Sequence, residues 1–599
     1  MSKRITRRPR NIDALHASGV LYGDLGTSKI YVIGLAFAVA GYASFWLIAA
    51  VSILTLLIGI NYIIVCKYYP YGGGVYASLR RRSKVISLLG AFFLFADFII
   101  TAALSALSAF LYLGVPHPLF FTIGAIIFIG LLNFWGPRHV GKGAFVIAIL
   151  AIAVLLILFV FSIPHVPVGW SNLQLMHKGL WGNWTAFVAV ILTLSGIESV
   201  ANMAGVMRLN PGATEQAPVV TRTASKAIWF AVLETAIFTT FFTLILSSIN
   251  GLLLRDGNVI APDGQQIRDY VFRFLGTTIV GETFGATIGH YFGLISSIIF
   301  GILLLSAVNT AINGMIALFY IMAQDGEMPS TFKSLNKYGV PKLPHIVATL
   351  LPVVILLFVN DMAKLGALYA VGFVGAIAMN LGGSATDTSI SMLKKERVLL
   401  FLSALIMAAV EVTLFIDKAH ARIYVLVIIV VGLVLRSLAK EAKERKPVVL
   451  LKKEIKLATF NDLEDRGGVL CIVSGRGQAL NLAKEKAVQG GQPIAFLFVR
   501  EQRVMSERDF DRQVGSDKSA TKLFNYLSEE LGEVPALFSY IVSDAPSTTI
   551  AKLAKKMKVT DVIMEVPKRG VIAHLLRGDV VRDIWKQIPD EIDLIVLPS

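Results

Sequence analysis

The sequence predicts an all-α membrane protein of about twelve transmembrane helices, arranged as two inverted five-helix repeats plus two further helices, with a cytoplasmic α/β domain at the C-terminus. Three observations predict it. Of 599 residues, 55% are hydrophobic and only 16% charged, against about 25% charged in soluble chains, and the mean hydropathy is +0.68. Long apolar runs recur between residues 17 and 437. Composition then turns polar after Arg436. These features exclude one large soluble enzyme, a disordered chain and a secreted disulfide scaffold. The 2 cysteines, Cys66 and Cys471, are far apart in sequence and suggest neither a disulfide framework nor a zinc site.

The apolar runs cover 17–40, 42–65, 86–113, 119–135, 143–163, 184–206, 227–250, 287–320, 343–360, 364–385, 397–416 and 421–437. Each is about long enough to cross hydrocarbon as a helix. Lipid cannot satisfy open backbone polar groups, so helices are required. The formal net charge is +16, and its placement explains it. Lys3, Arg4, Arg7, Arg8 and Arg10 precede the first run, and Lys67, Arg80, Arg81, Arg82 and Lys84 follow the second. Later even-numbered junctions carry Arg138 and Lys142, Arg208, Arg222 and Lys226, Lys333, Lys337 and Lys342, then Lys394, Lys395 and Arg397. Short basic loops stay inside the cell, so both termini are expected in the cytoplasm and the protein in the cell membrane. Topology accounts for the charge, and no nucleic-acid partner is expected. The first run is polar near its start and is expected to be retained rather than cleaved as a signal peptide.

Acidic residues inside apolar sequence single out three runs, the first, the third and the sixth. The first contains Leu21-Tyr22-Gly23-Asp24-Leu25-Gly26-Thr27-Ser28. A carboxylate at mid-depth costs at least roughly 2.5 kcal/mol, which makes Asp24 a functional candidate. The glycines let the chain unwind and expose carbonyl oxygens as cation ligands. The alternative is that Asp24 only caps a helix starting at Leu25. In the third run Asp97, Thr101, Ser105 and Ser108 form one polar stripe at helical spacing. Ser105 and Ser108 are read as ordinary packing residues. Asp97 needs a partner; no basic partner for it is read in the first three runs, which leaves a bound cation or a proton.

The sixth run contains Leu194-Ser195-Gly196-Ile197-Glu198-Ser199. It stands five helices after the first, and interrupted helices in matching positions point to a transporter binding site between repeats. The alternative for Glu198 is a helix contact or gate. The tenth run contains Tyr369, either turned toward that site or sitting at the membrane interface.

The domains are read as a basic tail 1–16, a transmembrane domain 17–437, a charged linker 438–460 and an α/β domain 461–599. Strands are predicted at Val469–Ser474, Pro493–Val499, Ala536–Val542, Asp561–Val566 and Leu594–Leu597. Helices are predicted at Ala479–Gln489, Lys518–Leu531, Ser547–Met557 and Val571–Gln587. That alternation predicts a small parallel sheet covered on both faces. Gly475-Arg476-Gly477 lacks the third glycine of a dinucleotide fingerprint and reads as a tight turn.

At these residues a family resemblance emerges. The sequence resembles the amino acid–polyamine–organocation superfamily, with its LeuT-like 5+5 inverted repeat, and within it the KUP/HAK/KT and KimA-type potassium uptake permeases. The likeness is carried by Tyr22-Gly23-Asp24-Leu25-Gly26-Thr27-Ser28 with Tyr31, by Asp97, Ile100, Thr101, Ala103, Ser105, Ser108 and Ala109, by Ser195-Gly196-Ile197-Glu198, and by Leu368-Tyr369-Ala370-Val371-Gly372. Ser195 stands where Thr is usual. Leu15 stands near where KimA-type proteins carry an Asp, flanked by Asp13 and Asp24. The segment 321–341 looks instead like a loop of amino acid permeases. The tail resembles the universal-stress-protein fold through Asp561–Met564 and Leu575–Val580, but Glu565-Val566-Pro567-Lys568-Arg569 replaces most of the glycines of the nucleotide loop and Asp579 replaces a hydroxyl. The tail is therefore read as a regulatory or dimerising module.

The resemblance and the carboxylates together imply proton-coupled potassium import by alternating access. Tyr22, Asp24, Asp97, Thr101, Ser195, Glu198 and Tyr369 are the expected binding residues. Asp97, Thr101, Ser195 and Glu198 are expected to ligate K+, because hard cations prefer oxygen. Asp24, Asp97 and Glu198 are the proton-coupling candidates, since three clustered carboxylates do not all ionise in a dry site. The alternative is a proton-coupled amino acid or polyamine permease, disfavoured for amino acids because Asp24 would repel the substrate carboxylate. No cofactor is expected beyond K+ and H+ as cargo. A nucleotide on the tail is left open, and a homodimer through the tail is expected. No phosphate-binding G-x-x-x-x-G-K-[ST] loop is present for an ATP-driven pump.

Overall fold

The computed structural model describes residues 10, 12–72, 74–80, 83–135, 140–214, 217–336, 338–443, 457–458, 465, 467–475, 477–502, 517–531, 534–566, 580–589 and 591–598. Most of the charged linker, the segment 567–579 and Arg476 lie outside the described residues.

The membrane part begins with α1 (Ala14–Tyr22), a break, α2 (Ser28–Ala40), α3 (Ser44–Tyr68), α4 (Gly74–Arg80), α5 (Lys84–Leu113), α6 (Pro118–Trp135) and α7 (Val140–Ser162). It continues through α8 (Val166–Ser171), α9 (Gly179–Ala189), α10 (Ser199–Met203) and α11 (Thr221–Leu246). A short hairpin, β1 (Leu253–Arg255) and β2 (Asn258–Ile260), precedes α12 (Val271–Phe284) and α13 (Ala286–Asp325). Then come α14 (Lys342–Phe358), α15 (Met362–Ala385), α16 (Lys394–Asp417) and α17 (Ala419–Lys443).

Among the described residues, nine helices are long and apolar enough to cross a membrane, or ten if Gly179–Ala189 and Ile191–Val206, bent by 42°, form one span. This is fewer than the twelve runs predict. The first two runs join into one continuous stretch, Leu25–Tyr68, turned at Gly41, whose φ of 55° suits glycine. The ninth, Lys342–Phe358, is a shorter apolar helix.

α5 is the hub, packed on α6, α13, α15 and α17. It is buried over most of its length, its polar stripe of Asp97, Thr101, Ser105 and Ser108 included, as befits a central helix. Ser83 caps its N-terminus by accepting from Ile86 N, and Gly114 ends it in the left-handed region at φ 67°. α3 packs on α11, and α11 on α1. Outward faces keep residues such as Phe120, Ile157, Phe358 and Val430 exposed, an apolar surface suited to lipid.

Basic residues of one end tie helix ends together. Arg80 pairs with Asp325 at 2.8 Å, Arg436 with Glu327 at 2.6 Å and Lys67 with Glu396 at 2.8 Å. Arg10 donates to the carbonyls of Ala204 and Pro70.

The tail is a five-stranded all-parallel sheet in the order β5-β4-β3-β6-β7, with β3 (Val469–Ile472), β4 (Ile494–Glu501), β5 (Ala536–Ser543), β6 (Asp561–Glu565) and β7 (Asp593–Leu597). Helices α18 (Ala479–Gly490), α19 (Lys518–Leu531), α20 (Pro546–Met557) and α21 (Val580–Trp585) cover it. Alternate strand residues feed two cores. Val469, Cys471, Phe496 and Phe498 face one, and Leu470, Ala495, Leu497 and Val562 the other. α17 runs to Lys443, so helix extends into the expected linker.

Candidate functional site

Two broken helices meet at the centre of the membrane part. In the first, α1 ends at Tyr22, and a 3-10 turn, Leu25–Thr27, leads into α2. Asp24 sits in the break with no side-chain capping bond, which removes the simple helix-cap reading. In the second, α9 is followed by a 3-10 turn, Ile191–Leu194. Ser195 is extended and Gly196 has a φ of 92°, before α10 begins at Ser199. The breaks touch. A Cβ added at Gly196 would lie 2.5 Å from Leu25 N and 2.9 Å from Asp24 Cγ. Only glycine satisfies both that approach and that backbone angle.

Asp24 is 4% exposed and accepts from the Ser199 hydroxyl across the junction. Asp97 of α5 is 1% exposed. Gly372 of α15 lets the two helices close, since a Cβ there would lie 2.6 Å from Asp97 N. The Asp97 and Glu198 carboxyls lie within hydrogen-bonding reach of each other, and Asp24 is within electrostatic range of both. Asp97 Oδ1, Glu198 Oε2, Ser195 Oγ and Thr193 Oγ1 are buried without a hydrogen-bond partner among the described residues. Like charges held this close in a dry interior require a proton or a cation between them. Among the described residues, no group of three or more His, Cys, Asp and Glu side chains is arranged to hold a metal ion. The oxygen set is a carboxylate pair with neutral oxygens around it.

The predicted residues divide. Asp24, Asp97, Ser195, Glu198 and Tyr369 come together: Tyr369 is buried within electrostatic range of all three carboxylates and of Tyr31. Thr101 is buried one turn below Asp97, and its hydroxyl donates to the Asp97 carbonyl at 2.9 Å. Tyr22 does not join them. Its hydroxyl donates to Glu234 at 2.9 Å and its ring carries the Lys29 ammonium at 4.4 Å. Lys29 is the basic residue inside the first run that the sequence reading passes over. It pairs with Glu234, not with Asp97. No Lys or Arg forms a salt bridge with Asp24, Asp97 or Glu198 among the described residues.

The structure adds residues that the sequence reading did not place at the site. Tyr31 of α2 lies near Ser195, Tyr369, Asp24 and Asp97. Tyr62 of α3 lies near Glu198 and Asp97, and Asn380 of α15 donates to its hydroxyl at 3.5 Å. Tyr424 of α17 donates to the Ala96 carbonyl, next to Asp97. Helical tyrosines carry no sequence signal of direction; position in the motif was the available hint for Tyr31.

On the tail, Glu565 Oε1 accepts from Ala479 N at 3.2 Å, the first amide of α18. A Cβ at Gly477 would meet that carboxylate at 1.7 Å. The Glu565 carboxylate thus sits at the N-terminus of α18. The predicted segment Leu575–Asp579 lies outside the described residues.

An apolar multi-helix membrane domain, organised around two helix breaks that face one another, defines the class: a multi-pass membrane protein with an unwound, carboxylate-bearing centre. The amino acid permease family model matches residues 12–447, and the chain belongs to that family. It is similar to the probable potassium transport system protein Kup 2 of Albidiferax ferrireducens, 29% identical over 33% of this chain and 37% of that one. It is also similar to the Kup proteins of Nitrosospira multiformis (27% identical, over 33% of this chain and 36% of that one) and Paraburkholderia xenovorans (32% identical, over 21% and 24%). The matches therefore span about a third of these relatives' length or less. Among solved structures, the Eremococcus coleocola manganese transporter matches with a TM-score of 0.45 and 13% identity, over 72% of this chain and 95% of that one.

Proposed function

We propose that this protein is a secondary active transporter that imports potassium ions, by proton symport through alternating access. The observation that carries the reading is the buried pair Asp97 and Glu198, with Asp24 beside it and, among the described residues, no basic partner for any of the three. A desolvated K+ takes its ligands from Asp97, Glu198, Ser195 and Thr101, with tyrosine hydroxyls near, because a large hard cation is satisfied by oxygen alone. When the cation leaves, a proton on the same carboxylates relieves their repulsion, which couples the two cargoes. The similarity to Kup proteins supports potassium as the cargo. We further propose twelve spans in a 5+5 inverted repeat, a cell-membrane location with both termini in the cytoplasm, and a universal-stress-protein-like tail that regulates or dimerises the protein.

The family match favours a second reading, proton-coupled amino acid or polyamine transport. Asp24 in the first break stands against an amino acid carboxylate and suits a cationic amine better. Rubidium uptake into proteoliposomes under an imposed pH gradient, run beside labelled amino acids and polyamines, decides between them. Rubidium uptake driven by inward proton flow is expected; amino acid flux without rubidium flux would overturn the potassium reading. Glu198→Gln keeps the volume and removes the charge, and should abolish uptake while membrane insertion stays normal.

A further inference from the structure

The break in the first span has a second face. Tyr22 ends α1 and Lys29 is the second residue of α2, so the two flank the break. Glu234 of α11 holds both. Its Oε1 accepts from the Tyr22 hydroxyl at 2.9 Å, and its Oε2 pairs with Lys29 Nζ at 2.7 Å. Lys29 Nζ also donates to the Tyr22 hydroxyl oxygen at 3.1 Å, closing a triangle. The Lys29 side chain is 1% exposed and that of Glu234 8%. The Tyr22 ring folds back over the break, close enough that a Cβ at Gly26 would lie 2.7 Å from it.

We propose that Tyr22, Lys29 and Glu234 form a buried clamp across the first-span break, acting as positioning residues that hold Asp24 toward Ser199 and Glu198. A buried ion pair gives little net stability over an apolar replacement, whereas removing one partner strands a charge. The physical role that remains is fixed geometry. The clamp joins the last turn of α1, the first turn of α2 and α11, while the same five-residue break carries the carboxylate that accepts from Ser199. Lys29 thereby serves the site without touching its cargo. It also keeps Glu234 charge-balanced, so that helix α11 adds no fourth bare carboxylate near the centre.

The inference rests on the proposed site, and its test separates the two. The full chain is purified as wild type, Tyr22→Phe, Lys29→Met, Glu234→Gln and the double variant Lys29→Met/Glu234→Gln, which is charge-neutral and keeps an acceptor for Tyr22. Hydrogen exchange at residues 23–28 reads the clamp without any substrate. It should quicken about tenfold in each charge-stranding single variant and return to within about threefold of wild type in the double. Rubidium and labelled amino acid uptake are measured on the same samples. For whichever is carried, the single variants should raise KM about fivefold or more, with recovery in the double, because orientation of Asp24 and not overall folding is at stake. Should the charge variants fail to give monodisperse protein, Tyr22→Phe decides, with about threefold faster exchange expected. Unchanged exchange and KM in the single variants, or a double no better than the singles, would overturn the clamp. Wild-type protein that carries no rubidium would instead overturn the potassium reading and leave the exchange result standing.

Discussion

Gly196 shows how much one missing side chain can decide. Its φ of 92° alone costs an L-residue about 1–2 kcal/mol, and a Cβ would also collide with the Asp24 and Leu25 backbone. Gly196→Ala should therefore reduce uptake by at least about tenfold in reconstituted vesicles, since the two breaks must part to admit the methyl. Asp97→Asn tests the carboxylate pair from its other side. It replaces one charge with an amide that donates to Glu198, and is expected to give a protein that folds but loses saturable cation binding in calorimetry. Asp97, Glu198 and Asp24 were legible in the sequence because a charge inside an apolar run is conspicuous. Tyr31, Tyr62, Ser199 and Asn380 were not, because hydroxyl and amide residues are common packing groups in membrane helices. Tyr22 was placed with the carboxylates on its neighbours' account. Its actual direction is set by Lys29 and by Glu234, 212 residues away, a pairing that local pattern does not contain.

At the scale of elements, the tail strands were predicted nearly residue for residue, since buried parallel strands are short, apolar and separated by amphipathic helices. The span count was harder, because a turn at Gly41 and a sharp bend after Ala189 are local backbone events inside apolar sequence. The start of α19 allows a quantitative expectation. Asp517 accepts from Ser519 N and Ala520 N, from Tyr540, and in bidentate fashion from Arg500 at 2.7 Å. Burial would raise its carboxyl, but the hydrogen bonds and charge of Arg500 prevail and hold it below the usual carboxylate value. A depressed folded value means that this contribution is full above the unfolded value, near about 3.9, and fades as pH falls through the folded one. Asp517→Asn should therefore destabilise the tail by about 2–4 kcal/mol at neutral pH and by much less near about pH 2. Hydrogen exchange of α19 and β5 in the full chain measures both.

At the scale of the whole molecule, topology is the open expectation with the plainest check. The β1–β2 hairpin and the tail belong on opposite sides of the bilayer if basic loops face the cytoplasm. Both native cysteines are buried, and burial pushes the Cys471 thiol up to about 12, so neither should react readily. Asp256→Cys, at an exposed hairpin position, should take up a membrane-impermeant maleimide in intact cells, whereas Lys558→Cys in the tail should label only after permeabilisation. The reverse pattern would invert the assigned orientation.

The contact of Gly196 with Asp24 has a mechanical consequence. Two backbones that touch with nothing between them cannot slide without one dragging the other. Under the proposed alternating access, the unwound segments of the first and sixth spans are expected to travel as a single axle, with the surrounding helices swinging about it. On that proposal, the ion pairs Arg80–Asp325 and Arg436–Glu327, which fasten α4 and α17 to the end of α13 and the turn after it, are the fastenings expected to loosen each time the swinging part opens.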